Sequence, residues 1–154
     1  MSPRVAGQPE SCLQSRQPGR LCSGPVLPDA PRAVLVADDE AILQRLITRV
    51  LERAGLEAVA VGDGDAALEA FEREPQRFAA VIVDVFMPPR GGGELLRKLL
   101  ERRPDLGFVL TSGAELAPEL RALLAERAGV FLGKPFAPEA LLAAVRRALD
   151  GAGA

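Results

Sequence analysis

Five short apolar runs, each followed by a stripe of helical periodicity, constrain this chain more than any other property of its sequence. Val34-Leu35-Val36-Ala37, Leu56 to Val61, Phe78 to Val83, Leu106 to Leu110 and Val130 to Leu132 have strand length and strand composition. After the first, Ile42, Leu43, Leu46, Ile47, Val50, Leu51 and Ala54 fall at three- and four-residue spacing, and Gly55 stands as the stop. Asp65 to Arg73 turns Ala67, Leu68 and Phe71 to one side and ends at Pro75, and Glu94 to Arg102 carries Leu95, Leu96, Leu99 and Leu100 and ends ahead of Pro104. Helices over Pro118 to Arg127 and Pro138 to Leu149 complete the order. Strands alternating with helices imply one parallel sheet, helices on both faces and right-handed crossovers. The continuous apolar run Phe78 to Val83 suits a central strand buried on both sides.

The 154 residues are 48% hydrophobic and 26% charged, enough for one folded domain and too few for two. Residues 1–31 are rich in Pro, Gly, Ser, Arg and Gln without apolar period, so a disordered tail is expected there, a folded domain over 32–150 and a short small-residue tail over 151–154. A net charge of -2 gives no reason to expect nucleic-acid binding. No run approaches the roughly 20 apolar residues of a membrane span, and no signal-peptide block opens the chain, so a cytoplasmic protein is expected. Cys12 and Cys22 are the only cysteines and make neither a disulfide framework nor a zinc site. Histidine is absent, which excludes imidazole acid/base chemistry and an internal phosphohistidine.

In a parallel sheet the groups that follow the strands gather at one edge, where open α/β sheets bind ligands. Here those groups are Asp38-Asp39-Glu40 after strand 1, Asp84 after strand 3, Thr111-Ser112-Gly113 after strand 4 and Lys134-Pro135-Phe136 after strand 5. Carboxylates, a hydroxyl and a lysine form a set suited to magnesium and phosphoryl transfer. Each has a plainer reading alone: Asp39 as a helix cap, Asp84 as a strand-end turn residue, Ser112 as a turn hydroxyl, Lys134 as a surface cation. Four such coincidences at one edge are much harder to accept than one. Gly62-Asp63-Gly64-Asp65-Ala66-Ala67 has dinucleotide-fingerprint spacing, but it follows strand 2 and its acids would repel a pyrophosphate; a turn is expected.

These motifs, in this order, resemble the receiver domain of bacterial two-component response regulators. The resemblance covers residues 33–149 and rests on Asp38-Asp39, Asp84 with Met87-Pro88 three residues on, Ser112-Gly113 and Lys134-Pro135-Phe136. It implies a flavodoxin-like (βα)5 fold with strand order 2-1-3-4-5. It also implies that Asp84 is the phosphoacceptor, and that Mg²⁺ is held by Asp38, Asp39, Asp84 and the backbone carbonyl of Phe86. Lys134 and Ser112 would contact the phosphoryl oxygens, with Ser112 preferred to Thr111 because the family places the hydroxyl before a small residue. The Lys134–Pro135 bond would be cis. Phosphorylation would draw Ser112 toward the phosphoryl group and Phe131 inward, reshaping the surface of helix 4, strand 5 and helix 5, where Leu116, Leu120, Arg121, Leu123 and Leu124 are candidates for contact. Receivers dimerise or meet partners there, and the donor would be a sensor histidine kinase or a phosphotransfer protein.

The chain departs from the family pattern after Asp84. Met87-Pro88-Pro89-Arg90-Gly91-Gly92-Gly93 replaces Met-Pro, one residue, Met-Asp-Gly. Phe86 stands where a polar side chain often steers hydrolytic water, so slow self-dephosphorylation is expected. A stand-alone receiver without an output domain after Leu149, or the detached C-terminal receiver of a hybrid kinase, is expected. A dehalogenase-type phosphatase would need an Asp at Phe86, and a flavodoxin-like electron carrier would need a phosphate loop where Asp38-Asp39-Glu40 stands. A receiver-like binding module independent of phosphorylation is the remaining alternative.

Overall fold

The computed structural model describes residues 33–87 and 91–151. The tail expected over 1–31, Cys12, Cys22, the Pro88–Arg90 part of the loop and most of the C-terminal tail lie outside the described residues. The elements, in order, are β1 (Ala33–Ala37), α1 (Ala41–Arg53), β2 (Glu57–Val61), α2 (Gly64–Arg73), a 3₁₀ turn (Pro75–Arg77), β3 (Phe78–Asp84), α3 (Gly92–Arg102), β4 (Gly107–Ser112), α4 (Pro118–Arg127), β5 (Val130–Gly133) and α5 (Pro138–Gly151). The strands are parallel and form one sheet in the order β2-β1-β3-β4-β5. The (βα)5 fold and the strand order are those the resemblance implies.

Period-two alternation sends successive residues of each strand to opposite faces. Leu35, Val81, Val83, Phe108 and Leu110 pack with Phe71 and with Leu95, Leu96 and Leu99 of α3. Val34, Val36, Ile82 and Val109 pack with Ile47 and Leu51 of α1 and Leu141 and Val145 of α5. Each such side chain, fully buried, is worth about 1.5–3 kcal/mol, so the two layers hold the sheet from both sides. α4 is held more lightly, with Leu120 its one buried residue and Leu123 and Leu124 half-buried.

Helix ends follow local rules. α1 stops at Gly55, which adopts φ +85°, while Gly55 N–H donates to Glu52 O and Leu56 N–H to Leu51 O, closing a Schellman motif. Asp63 caps α2 by accepting from Ala66 N–H at 2.7 Å, so the Gly62-Asp63-Gly64 run is the turn and cap expected of it.

Some boundaries differ from the sequence reading. β2 begins at Glu57, one residue after Leu56. β4 begins at Gly107 and continues through Thr111 and Ser112, because those two remain in register with Leu132 and Gly133 of β5. α3 starts at Gly92, two residues before Glu94, and α5 runs to Gly151.

Candidate functional site

Backbone bonds tie the carboxyl end of β1 to that of β2, and those of β3 and β5 to that of β4. Asp38 N–H donates to Val61 O, Val85 N–H to Thr111 O and Lys134 N–H to Ser112 O, at 3.1, 2.9 and 2.8 Å. Gln44 on α1 adds side-chain bonds from Nε2 to the carbonyls of Asp38 and Val61. The positions that follow the strands are therefore fixed mainly by main-chain bonds, with Gln44 bridging β1 and β2.

Carboxylate oxygens of Asp38, Asp39 and Asp84 all lie within 4.8 Å of one another. Asp38 and Asp84 are buried, at 2% and 5% exposure, and Asp39 is exposed. The residue at the N-cap of α1 is Glu40, not Asp39, and its side chain makes no capping bond. Asp84 Oδ1 accepts from Phe86 N–H at 3.2 Å, and Asp84 Oδ2 lies 3.2 Å from Lys134 Nζ. The same ammonium is 3.3 Å from Asp38 Oδ2 and 3.2 Å from Glu40 Oε1.

Burial pushes the Asp38 carboxyl above its ordinary range, against the hydrogen bond from Glu40 N–H and the attraction of Lys134; the charge of Asp84 adds to the rise. Burial works against the charge of Lys134 as well, but hydrogen bonds to Asp84 and Glu40 and the field of Asp38 outweigh it and hold the ammonium above its usual value. Four carboxylates against one ammonium leave the edge strongly negative. An all-oxygen, anionic donor set of this kind fits a hard divalent cation such as Mg²⁺, which takes one or two carboxylates and keeps several waters.

The remaining expected residues are placed less compactly. Ser112 Oγ turns away to Ala114, accepting from its N–H at 3.0 Å and donating to its carbonyl at 3.1 Å. Phe86 is 62% exposed and Phe131 is 42% exposed. Phe131 borders a cavity of about 620 Å³ shared with Ser112, Leu116, Arg121, Leu124 and Lys134. The Lys134–Pro135 bond is cis. Glu40 was assigned no role from sequence, and its position directly after the aspartate pair was the available signal.

A family model described as the response regulator receiver domain matches residues 34–146. The chain belongs to that family. This receiver is 31% identical to the transcriptional regulatory protein TcrX of Mycobacterium tuberculosis, over 80% of its own length and 52% of the relative's. It is 32% identical to the response regulator receiver protein CpdR of Brucella abortus, covering 68% of the receiver and 86% of CpdR. The solved response regulator receiver protein of Sinorhizobium medicae superposes with a TM-score of 0.69 at 30% identity, covering 78% of this chain and 95% of that one. The receiver thus spans about half the length of TcrX and most of CpdR. Membership supports the phosphoacceptor role and gives no support to a phosphorylation-independent module. Receivers of this family generally bind Mg²⁺ at an acidic pocket, and Asp38, Asp39 and Asp84 form an acidic cluster at this edge.

Proposed function

We propose that Asp84 accepts a phosphoryl group from the phosphohistidine of a sensor kinase or phosphotransfer protein. A carboxylate oxygen of Asp84 attacks phosphorus, the P–N bond breaks, the imidazole nitrogen leaves with the electron pair, and an acyl phosphate remains. Bound Mg²⁺ would supply charge neutralisation between two anions that otherwise repel. Asp38, Asp39, Asp84 and the Phe86 carbonyl are the residues that would hold it. Lys134 meets the incoming phosphoryl oxygens as a compact charge, already directed at Asp84. Ser112 exchanges its bonds to Ala114 for one to the phosphoryl group, and Phe131 turns from the surface into the cavity beside it. The surface of α4, β5 and α5 then changes shape, and there the receiver meets its target or a second copy of itself.

The observation that carries this reading is the convergence of Lys134 Nζ, at 3.2 Å, and two further carboxylates on Asp84 at one sheet edge. The apolar, exposed Phe86 supports slow self-dephosphorylation, since a phenyl ring cannot orient water by hydrogen bonds. We take the functional domain as 32–150 and its catalysis as limited to its own phosphorylation and dephosphorylation. No described helix is long and apolar enough to cross a membrane, which agrees with action in the cytoplasm. Intact-protein mass after incubation with Mg²⁺ and acetyl phosphate tests the reading. One added phosphoryl group, absent in Asp84→Asn and with EDTA, is expected; wild type that takes none from acetyl phosphate or from a phosphorylated kinase refutes it.

A further inference from the structure

The Lys134 ammonium has three N–H donors. Three carboxylate oxygens surround it, from Asp38 at 3.3 Å and from Glu40 and Asp84 at 3.2 Å. A phosphoryl oxygen arriving at Asp84 gains a full share of this ammonium only when one of the three yields. Asp38 and Asp84 are poor candidates, because each is almost wholly buried and bulk water cannot take the place of the ammonium beside it. Glu40 differs on every count. Its side chain is 61% exposed, it makes no capping bond to α1, and water can take over its charge.

We propose that Glu40 is a positioning residue, the exchangeable partner that holds the Lys134 ammonium until a phosphoryl group displaces it. The proposal rests on Asp84 being the phosphoacceptor. Glu40 and the donor's anionic oxygens then compete for one cation, so Glu40 weakens capture of the donor and leaves the chemical step alone. A donor delivered by docking arrives at an effective concentration in the millimolar range and overrides this competition. A small phosphodonor free in solution does not, so Glu40 biases the receiver against small free phosphodonors.

The test is a concentration series of acetyl phosphate with saturating Mg²⁺, read by intact mass, on wild type, Glu40→Gln and Glu40→Asp. Gln removes the charge, and Asp keeps the charge while withdrawing it from Lys134 by one methylene. Both variants should lower the half-saturating donor concentration by about two- to fivefold, the size of one partly exposed ion pair, with the maximal rate unchanged. If Glu40→Asp behaves as wild type while Glu40→Gln improves, bulk charge at the mouth is responsible and the exchange is refuted. Wild-type half-saturation in both variants also refutes it, while labelling of wild type in the same series shows that the Asp84 reading stands. A wild type that takes no label overturns both. Thermal melts of all three check folding, with Glu40→Ala as a substitute for a variant that melts early.

Discussion

Replacing Gly92 with alanine should damage stability and the site together. A Cβ at that position would lie 2.2 Å from the carbonyl oxygen of Asp84, 2.9 Å from its carbonyl carbon and 2.7 Å from Val83 Cγ1. Non-bonded heavy atoms settle at about 3.5 Å, so the strand end or the helix start must retreat by roughly 1 Å. The obstacle is main chain in the central strand, which cannot rotate aside as a side chain can. Overpacking of this sort costs about 1–3 kcal/mol, and the better helix propensity of alanine recovers at most about 1. A net loss of about 2 kcal/mol lowers the melting temperature of a domain this size by roughly 5–10 °C. The displacement falls on the backbone of Asp84, and misplacing a reacting group by about 1 Å can slow a reaction about a hundredfold. Thermal melts and acetyl phosphate labelling measure both effects. Gly93→Ala is the control, because its Cβ meets only the Leu120 side chain, closest at Cδ2, 3.0 Å away, a terminal methyl that can give way. If Gly92→Ala melts and labels like wild type, the close approach of α3 to Asp84 does not constrain the site.

Other expectations follow from the same contacts. Arg103 donates from Nη1 to the carbonyls of Pro75 and Phe78 at 2.7 and 2.8 Å, so Arg103→Ala should lower the urea-derived stability by about 2–3 kcal/mol; a loss under about 0.5 would mean that water replaces the guanidinium. Asp38 has its folded pKa raised above 3.8, so its contribution is favourable below that value and is lost as pH rises through the folded value. In EDTA at neutral pH, Asp38→Asn should therefore be more stable than wild type, an advantage that disappears in acid; equal stability of the two proteins at every pH would refute this. Phe86→Asn should shorten the acyl phosphate lifetime several-fold by giving water a hydrogen-bonding partner, and a wild-type lifetime of only seconds by mass decay would contradict the account of Phe86.

Much of this arrangement was legible in the sequence because local rules and global layout agree. The stop at Gly55 is a matter of one backbone conformation, and the gathering of Asp38, Asp84, Ser112 and Lys134 follows from parallel topology once the strands are recognised. The start of α3 was not legible. Glycine is a poor helix former, so the periodic signal begins at Glu94, and only the approach of Gly92 to the Asp84 carbonyl explains why glycine stands inside the helix. Thr111 and Ser112 read as loop residues, yet pairing with β5 keeps them in the strand. The buried guanidinium of Arg103 has no sequence signature, since its carbonyl partners lie 25 and 28 residues away. The candidates expected on helix 4 were divided by the structure: Leu116 lies before α4, which begins at Pro118, and is buried, Leu120 on α4 is buried too, and Arg121 remains at the surface and donates to Leu116 O.

Lys134 meets Asp84 across 50 residues of chain and Glu40 across 94. During synthesis at about 5–20 residues per second, Asp84 is made roughly 3–10 s before the cation that will face it. Until β5 has joined the sheet, Lys134 Nζ cannot take its place 3.2 Å from Asp84 and Glu40, so the acidic edge is the last part of the fold to gain its counter-charge.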